Sequence, residues 1–187
     1  MKLVLLGGPG AGKGTQAAMM KNHYGIPHVS TGEILREARA GGTELGRKAA
    51  GYMDSGKLLP DDIILGIIEE RVAKFGGGFL FDGFPRTIAQ AEGLDAMLGR
   101  LGWALDAVVS IEVPDETVIT RLLKRAEIEG RPDDNRETIA NRLKVYYDQT
   151  EPLKAYYRKR GILRTVDGLG SVDEVFGRIR TILGGAG

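Results

Sequence analysis

Cysteine is absent from the 187 residues, and histidine is confined to His23 and His28. The first absence excludes disulfides, thiolate chemistry and a cysteine-ligated zinc; the second leaves too little imidazole for a histidine-rich metal centre. An excess of one charge is missing too, since 26 Lys and Arg face 25 Asp and Glu for a formal charge of +1. That balance gives no general attraction to nucleic acid or to an anionic membrane, so any basic site has to be local. Long apolar runs are also lacking. The opening run "LVLL" ends after four residues, too short for the core of a signal peptide, and no later stretch could span a bilayer. A soluble cytoplasmic protein is expected, and the length suits one domain, residues 1–187, with a well-buried core.

What is present is an alternation of short apolar runs and helical patterns. Strands are expected at Leu3–Leu6, His28–Ser30, Phe79–Phe81, Ala107–Val113 and Ile162–Val166. Helices are expected over 13–24, 31–40, 60–74, 87–100, 114–126, 136–148 and 171–183. Strands separated by helices of this length predict an α/β fold with a parallel five-stranded sheet covered on both faces. Two segments interrupt the alternation and are candidates for parts that move. One is 30–59, two or three short helices; the other is "EIEGRPDDN", 127–135, a polar break between helices.

The stretch "GGPGAGKGT", Gly7 to Thr15, follows the first strand directly. Gly7 through Lys13 fit the phosphate-loop pattern G-x-x-x-x-G-K-[ST], but Gly14 stands where the Ser or Thr belongs. In such a loop, backbone N–H groups around Gly10–Gly14 face phosphate oxygens, the helix dipole adds a favourable field, and Lys13 supplies a point charge. "GKGTQA", Gly12 to Ala17, also matches a dinucleotide fingerprint, with Glu33 at the ribose position. It begins six residues beyond the strand end at Leu6, however, where that fingerprint must begin at the strand end itself. Gly14 removes the hydroxyl that binds Mg²⁺ directly in many such loops. The metal must then rely on phosphate oxygens, water and another carboxylate. Asp82 is that carboxylate: it ends the apolar run "GFLF", at the carboxyl end of the sheet, where open α/β folds bind ligands.

"DGFPRTIAQA", Asp82 to Ala91, follows the acid with an arginine between a proline and a helix start. With "GGPGAGKGTQ", "STGEILR" and "GKLL" in the same order, nearly the whole chain resembles the adenylate kinases, within the nucleoside monophosphate kinases. The loop ending lysine–glycine–threonine looks like that family's own form. The resemblance implies a P-loop NTPase-type sheet and a reversible Mg²⁺-dependent phosphoryl transfer from ATP to AMP, giving two ADP. Gly10, Ala11, Gly12, Lys13, Gly14 and Thr15 would hold the ATP phosphates, and Asp82 would order the waters around Mg²⁺ without ligating it. Thr31 and Arg36 would contact AMP, as would Lys57, Leu58 and Leu59. Gly83, Phe84, Pro85 and Arg86 would line the same pocket, with Gln90 reading the adenine edge. Read from the residues alone, Ser30 with Glu33 and Thr87 with Gln90 are capping boxes at helix starts. Glu33 departs from the family, which commonly has Asp there, and no metal role is assigned to it.

Arginines supply the rest of the chemistry, because phosphoryl transfer asks the protein for alignment and for charge on the moving group. Arg121 and Arg125 lie one helical turn apart on a shared face; Arg131 sits in the polar break and Arg142 on the helix after it. Singly, each would read as a solvated cation. Matched to the family, Arg125 would hold ATP phosphates, Arg131 and Arg142 would grip AMP and the transferred group, and Gly170 would meet the base of ATP. Asp167 to Gly170 spells a GTPase-like D-x-x-G, but no N-K-x-D follows it. A pyrimidine monophosphate kinase is the alternative within the class; a regulatory GTPase or ATPase and a dinucleotide-dependent oxidoreductase are the alternatives outside it. The resemblance further implies a monomer, a cis Phe84–Pro85 bond, and a short metal-free lid at 127–135 around a core of 1–29, 60–126 and 136–187. Neither nucleic acid nor membrane is an expected partner.

Overall fold

A computed structural model describes residues 1–72, 74–131 and 133–184. Residue 73 of the expected helix 60–74, residue 132 of the expected lid and residues 185–187 lie outside them. The strands are β1 (Lys2–Leu6), β2 (His28–Ser30), β3 (Phe79–Asp82), β4 (Ala107–Glu112) and β5 (Leu163–Asp167). They form one five-stranded sheet in the order β2-β3-β1-β4-β5, every pairing parallel. β1 is therefore central, paired with β3 through Leu5 opposite Asp82 and with β4 through Leu6 opposite Ser110.

Alternation along the strands divides the core into two layers. Val4 and Leu6 of β1 join Phe79, Phe81 and Val108 on one face, under Ile64 and Ile68 of α4 (Asp61–Val72), Leu94 and Leu98 of α5 (Ile88–Arg100) and Tyr157 of α8 (Leu153–Lys159). Leu3 and Leu5 face the opposite way with Leu80 and Val109. They lie under Ala17 and Met20 of α1 (Lys13–Tyr24) and Ile179 and Leu183 of α9 (Val172–Gly184). Both faces are covered, as the near-continuous apolar strands require.

Helix starts follow their local chemistry. α2 (Thr31–Ala40) begins where Ser30 Oγ accepts from Glu33 N, and α5 where Thr87 Oγ1 accepts from Gln90 N. The expected reciprocal bond of the second box is not made to Thr87, because the Gln90 side chain reaches Arg86 N instead. α3 (Glu44–Asp54) packs against α2 so closely that a Cβ on Gly46 would stand 2.1 Å from Ala38 O. The excursion 30–59 is thus a hairpin of two helices, without a third.

The second half departs further from the sequence reading. α6 runs over Asp115–Glu129, so the first three residues of the expected lid 127–135 are helix, ended by Gly130 in the left-handed conformation (φ 61°). α7 (Arg136–Val145) stops before 148 and passes into a π-helical turn, Tyr146–Thr150, closed by Glu151 N donating to Tyr146 O at 2.8 Å. α8 then follows Pro152, a residue tolerated at a helix start because the first N–H groups have no partner inside the helix.

Candidate active site

The loop between β1 and α1 closes on its own lysine. Lys13 Nζ donates to Gly7 O at 2.8 Å and to Gly8 O at 2.9 Å. Gly10 has φ 78°, and a Cβ there would meet Leu122 Cγ at 2.8 Å and Val118 O at 3.1 Å. Only glycine gives both that backbone conformation and that closeness to α6. Asp82 ends β3 beside the loop, buried, with Oδ2 3.6 Å from where a Cβ of residue 14 would stand. A carboxylate therefore stands next to the place where related loops carry a hydroxyl. His28 Nε2 faces the same Oδ2 at 3.8 Å, beyond hydrogen-bond range, and finds no hydrogen-bond partner among the described residues. Burial alone would raise the Asp82 pKa. The facing His28 and the charges of Lys13 and Arg86 outweigh it and hold the carboxyl below its usual range.

Around this pair the charge is strongly positive. Burial pushes the Lys13 ammonium down to about 8, opposed by Asp82 and reinforced by Arg86, Arg142 and Arg125. Burial likewise brings Arg86 down to about 10, with Arg142 and Arg36 adding and Asp82 opposing. Arg36 is lowered by burial and by Arg131, and Arg142 by burial against the pull of Asp133 and Asp134. Cations that depress one another in this way form a site for a polyanion.

Three cavities adjoin along this part of the molecule, neighbours sharing wall residues. The first, about 630 Å³, is lined by Thr31, Arg36, Lys57, Leu58, Leu59, Gly83, Arg86, Gln90 and Arg142 from the expected acceptor set. The second, about 1110 Å³, is lined by Gly10, Gly12, Lys13, Gly14, Thr15, Asp82, Arg121, Arg125 and Arg131, again with Arg36, Arg86 and Arg142. Glu33 reaches this cleft as well. The third, about 690 Å³, holds Ala11, Gly12, Thr15, Arg121 and Gly170. Arg86 and Arg142 stand at the junction of the first two, and Arg121 at the junction of the last two. Two expected residues are placed otherwise. The Phe84 ring is wholly buried against Phe81 in the core, and Pro85 lines a smaller space beside Lys13 and Tyr146. The Phe84–Pro85 bond is cis, as expected.

The sequence reading missed the partners of the arginines. Asp134 is fully buried and accepts from Arg125 Nε at 2.6 Å, Arg125 Nη2 at 2.8 Å and Arg142 Nη1 at 2.8 Å. Asp133 lies 3.3 Å from Arg142 Nη1 and lines the first cavity, and Glu129 accepts from Arg131 Nε at 2.6 Å. The signal was present as "PDDN", which reads as a polar break until both carboxylates prove buried. By contrast, Lys13, Arg36, Arg86 and Arg121 make no ion pair within 4.0 Å among the described residues; Arg86 Nε and Arg121 Nη2 donate to the carbonyls of Gly83 and Gly168.

Comparison with known proteins agrees with this geometry. The family model described as adenylate kinase matches residues 5–162. The adenylate kinase of Thermus thermophilus is 52% identical over 182 residues, covering 97% of this chain and 96% of its own. That of Thermobifida fusca is 52% identical over 185 residues (98% of each chain), and that of Xanthomonas euvesicatoria 50% over 186 residues, with 98% of this chain and all of the relative covered. A parallel sheet with a phosphate loop at its centre, an arginine-walled cleft over that loop and identity along nearly the full length point one way: the chain belongs to the adenylate kinase family of nucleotide-binding phosphotransferases.

Proposed function

We propose that the protein transfers the γ-phosphoryl group of ATP reversibly to AMP, giving two ADP. The observation that carries this reading is the row of three cavities with arginines at both junctions. AMP occupies the first, its base beside Thr31 and Gln90 and its phosphate on Arg36 and Arg86. The ATP phosphates lie in the second, over the loop from Gly10 to Thr15 with Lys13, Arg121 and Arg125, and the base of ATP reaches Gly170 in the third.

The Thr31 hydroxyl donates to Gly83 O at 2.8 Å, so toward the cavity it offers lone pairs and accepts from an exocyclic amine. The chemistry itself joins an AMP phosphate oxygen to the γ-phosphorus and releases the β-phosphate oxygen of ADP, with no proton required of the protein. Arg131 and Arg142 carry the charge that develops on the moving group. Asp82 fits a hydrated Mg²⁺: it is buried, held ionised and beside Gly14, so it would hold waters of the ion, which neutralises phosphate charge. Water would compete with AMP for the phosphoryl group, so the excursion 30–59 and the short lid at 127–135 close over the substrates. The protein acts as a cytoplasmic monomer; no helix among the described residues is long and apolar enough to cross a membrane.

A coupled assay with a panel of donors and acceptors tests the proposal. AMP is expected to exceed UMP and CMP by at least about tenfold in kcat/KM, a difference of about 1.4 kcal/mol. UMP or CMP matching AMP at saturating ATP would replace the reading with a pyrimidine monophosphate kinase. Lid and excursion positions that stay the same with and without a bisubstrate analogue would remove closure from the mechanism.

A further inference from the structure

Gln90 is buried, lines the acceptor cavity, and has both ends of its carboxamide engaged. Its Oε1 accepts from Arg86 N at 2.7 Å, and its Nε2 donates to Asp61 Oδ1 at 2.7 Å. These partners are one-way, since a backbone N–H can only donate and a carboxylate can only accept. A reversed amide would set donor against donor at Arg86 and acceptor against acceptor at Asp61. One N–H and one carbonyl lone pair of Gln90 remain for a ligand. Thr87 Oγ1 donates to the same Asp61 oxygen at 3.1 Å and steadies it, while Asp61 is not among the residues that line the acceptor cavity.

We propose that Asp61 is a positioning residue for acceptor selection: it fixes the Gln90 amide so that the site offers a donor and an acceptor in the order that a 6-aminopurine requires. The inference rests on the reading of AMP as acceptor. Adenine carries an acceptor at N1 and a donor at N6, whereas hypoxanthine, the same in size and shape, carries a donor at N1 and an acceptor at O6. IMP therefore reports the polarity of the site and nothing else. An amide held at one end only can reverse toward hypoxanthine at smaller cost, leaving fewer buried groups unpaired.

Asp61 has a second role that must be separated from this one, because it lies in the first turn of α4, where a negative charge is favourable to the helix dipole. The dipole role needs charge, whereas the positioning role needs only an acceptor oxygen. Asp61→Asn keeps the oxygen and loses the charge; Asp61→Ala loses both, and Asp61→Leu, closer in size, does the same should the alanine variant fold poorly. The experiment measures kcat/KM for AMP and for IMP at saturating MgATP on the full-length protein and these variants, with the KM for ATP as control. The wild type is expected to prefer AMP by about a hundredfold or more. Asp61→Ala or Asp61→Leu narrows that ratio by about tenfold through the KM of the acceptor, with the KM for ATP unchanged, and Asp61→Asn stays within about threefold of the wild-type ratio. Equal losses for AMP and IMP in the Ala and Leu variants, or an Asn variant as unselective as the Ala variant, overturn the proposal. A wild type that does not discriminate AMP from IMP overturns the acceptor reading as well, so the two failures are distinct.

Discussion

Asp134 holds Arg125 through both oxygens, Oδ2 to Nε at 2.6 Å and Oδ1 to Nη2 at 2.8 Å, and the same Oδ1 also accepts from Arg142. One buried carboxylate thus ties the end of α6 to α7 and fixes two guanidinium groups at the wall of the central cleft. Arg125 keeps its charge through this pair: burial lowers its pKa, but the bond to Asp134 more than restores it. Asp134→Ala is expected to destabilise the protein by about 3 kcal/mol, because the partly buried Arg125 loses its ion-pair partner and Arg142 is left with Asp133 alone. It should also lower kcat by tenfold or more, since both arginines lose their alignment. Denaturant unfolding and the coupled assay measure the two effects. A kcat that rises instead would mean that Asp134 restrains the arginines from the substrates.

Lys13 is expected to couple ATP binding to protons. With its pKa near 8 in the free protein and an ordinary value once phosphate replaces the carbonyls of Gly7 and Gly8, binding at pH 8.5 takes up most of a proton. Calorimetry in two buffers of different ionisation enthalpy reads this directly, and Lys13→Met should abolish the uptake. Folding carries the matching sign. Between about pH 8 and 10.5 the unfolded chain holds a proton that the native lysine has lost, so this group favours folding increasingly as pH rises through that window.

The sheet was readable because its three inner strands, β1, β3 and β4, are mainly apolar runs, and all five expected strands matched to within one residue. Ser30, Thr87 and the glycine loop marked helix starts through local chemistry that needs no tertiary information. The stretch after Val145 was not readable in the same way. Its π-helical turn is closed by a bond from Glu151 N to Tyr146 O, and nothing in "VYYDQTEP" forces that geometry over an ordinary helix. Of the residues expected at the acceptor, most line the first cavity, but the Phe84 ring fills the core, Pro85 lines the smaller space beside Lys13, and Arg131 lines the second cavity. Asp133 and Asp134 escaped for a general reason: a polar pair in a polar break reads as solvated, and burial of a charge is a property of the fold around it.

Asp82 tests the arrangement of the metal. Asp82→Asn preserves shape and removes the charge that stands beside Gly14 and opposes the depression of Lys13. The free Mg²⁺ concentration giving half the maximal rate should rise by about tenfold or more, as expected when a charged partner of the hydration shell is lost. The proton uptake of Lys13 should move to lower pH in the same variant. An unchanged Mg²⁺ dependence would take Asp82 out of the metal site, and elemental analysis of the purified wild type should find no stoichiometric zinc.

Thr31 gives the sharpest check on the acceptor. Its hydroxyl proton is committed to Gly83 O, so the lone pairs that remain can accept from an adenine amine but cannot donate to a uracil carbonyl. Thr31→Ala removes that acceptor while Gly83 O keeps its second donor, Arg86 Nε, and the preference for AMP over UMP should narrow by about tenfold, in line with one buried hydrogen bond. Thr31→Ser keeps the hydroxyl and should restore most of the selectivity, which a role in packing alone would not. Arg86→Ala is expected to behave differently, because its guanidinium stands at the junction of the first two cavities, where it would meet phosphate charge and not the base. It should slow AMP, UMP and CMP together, and a selective loss for AMP alone would place Arg86 at the base instead of the phosphate.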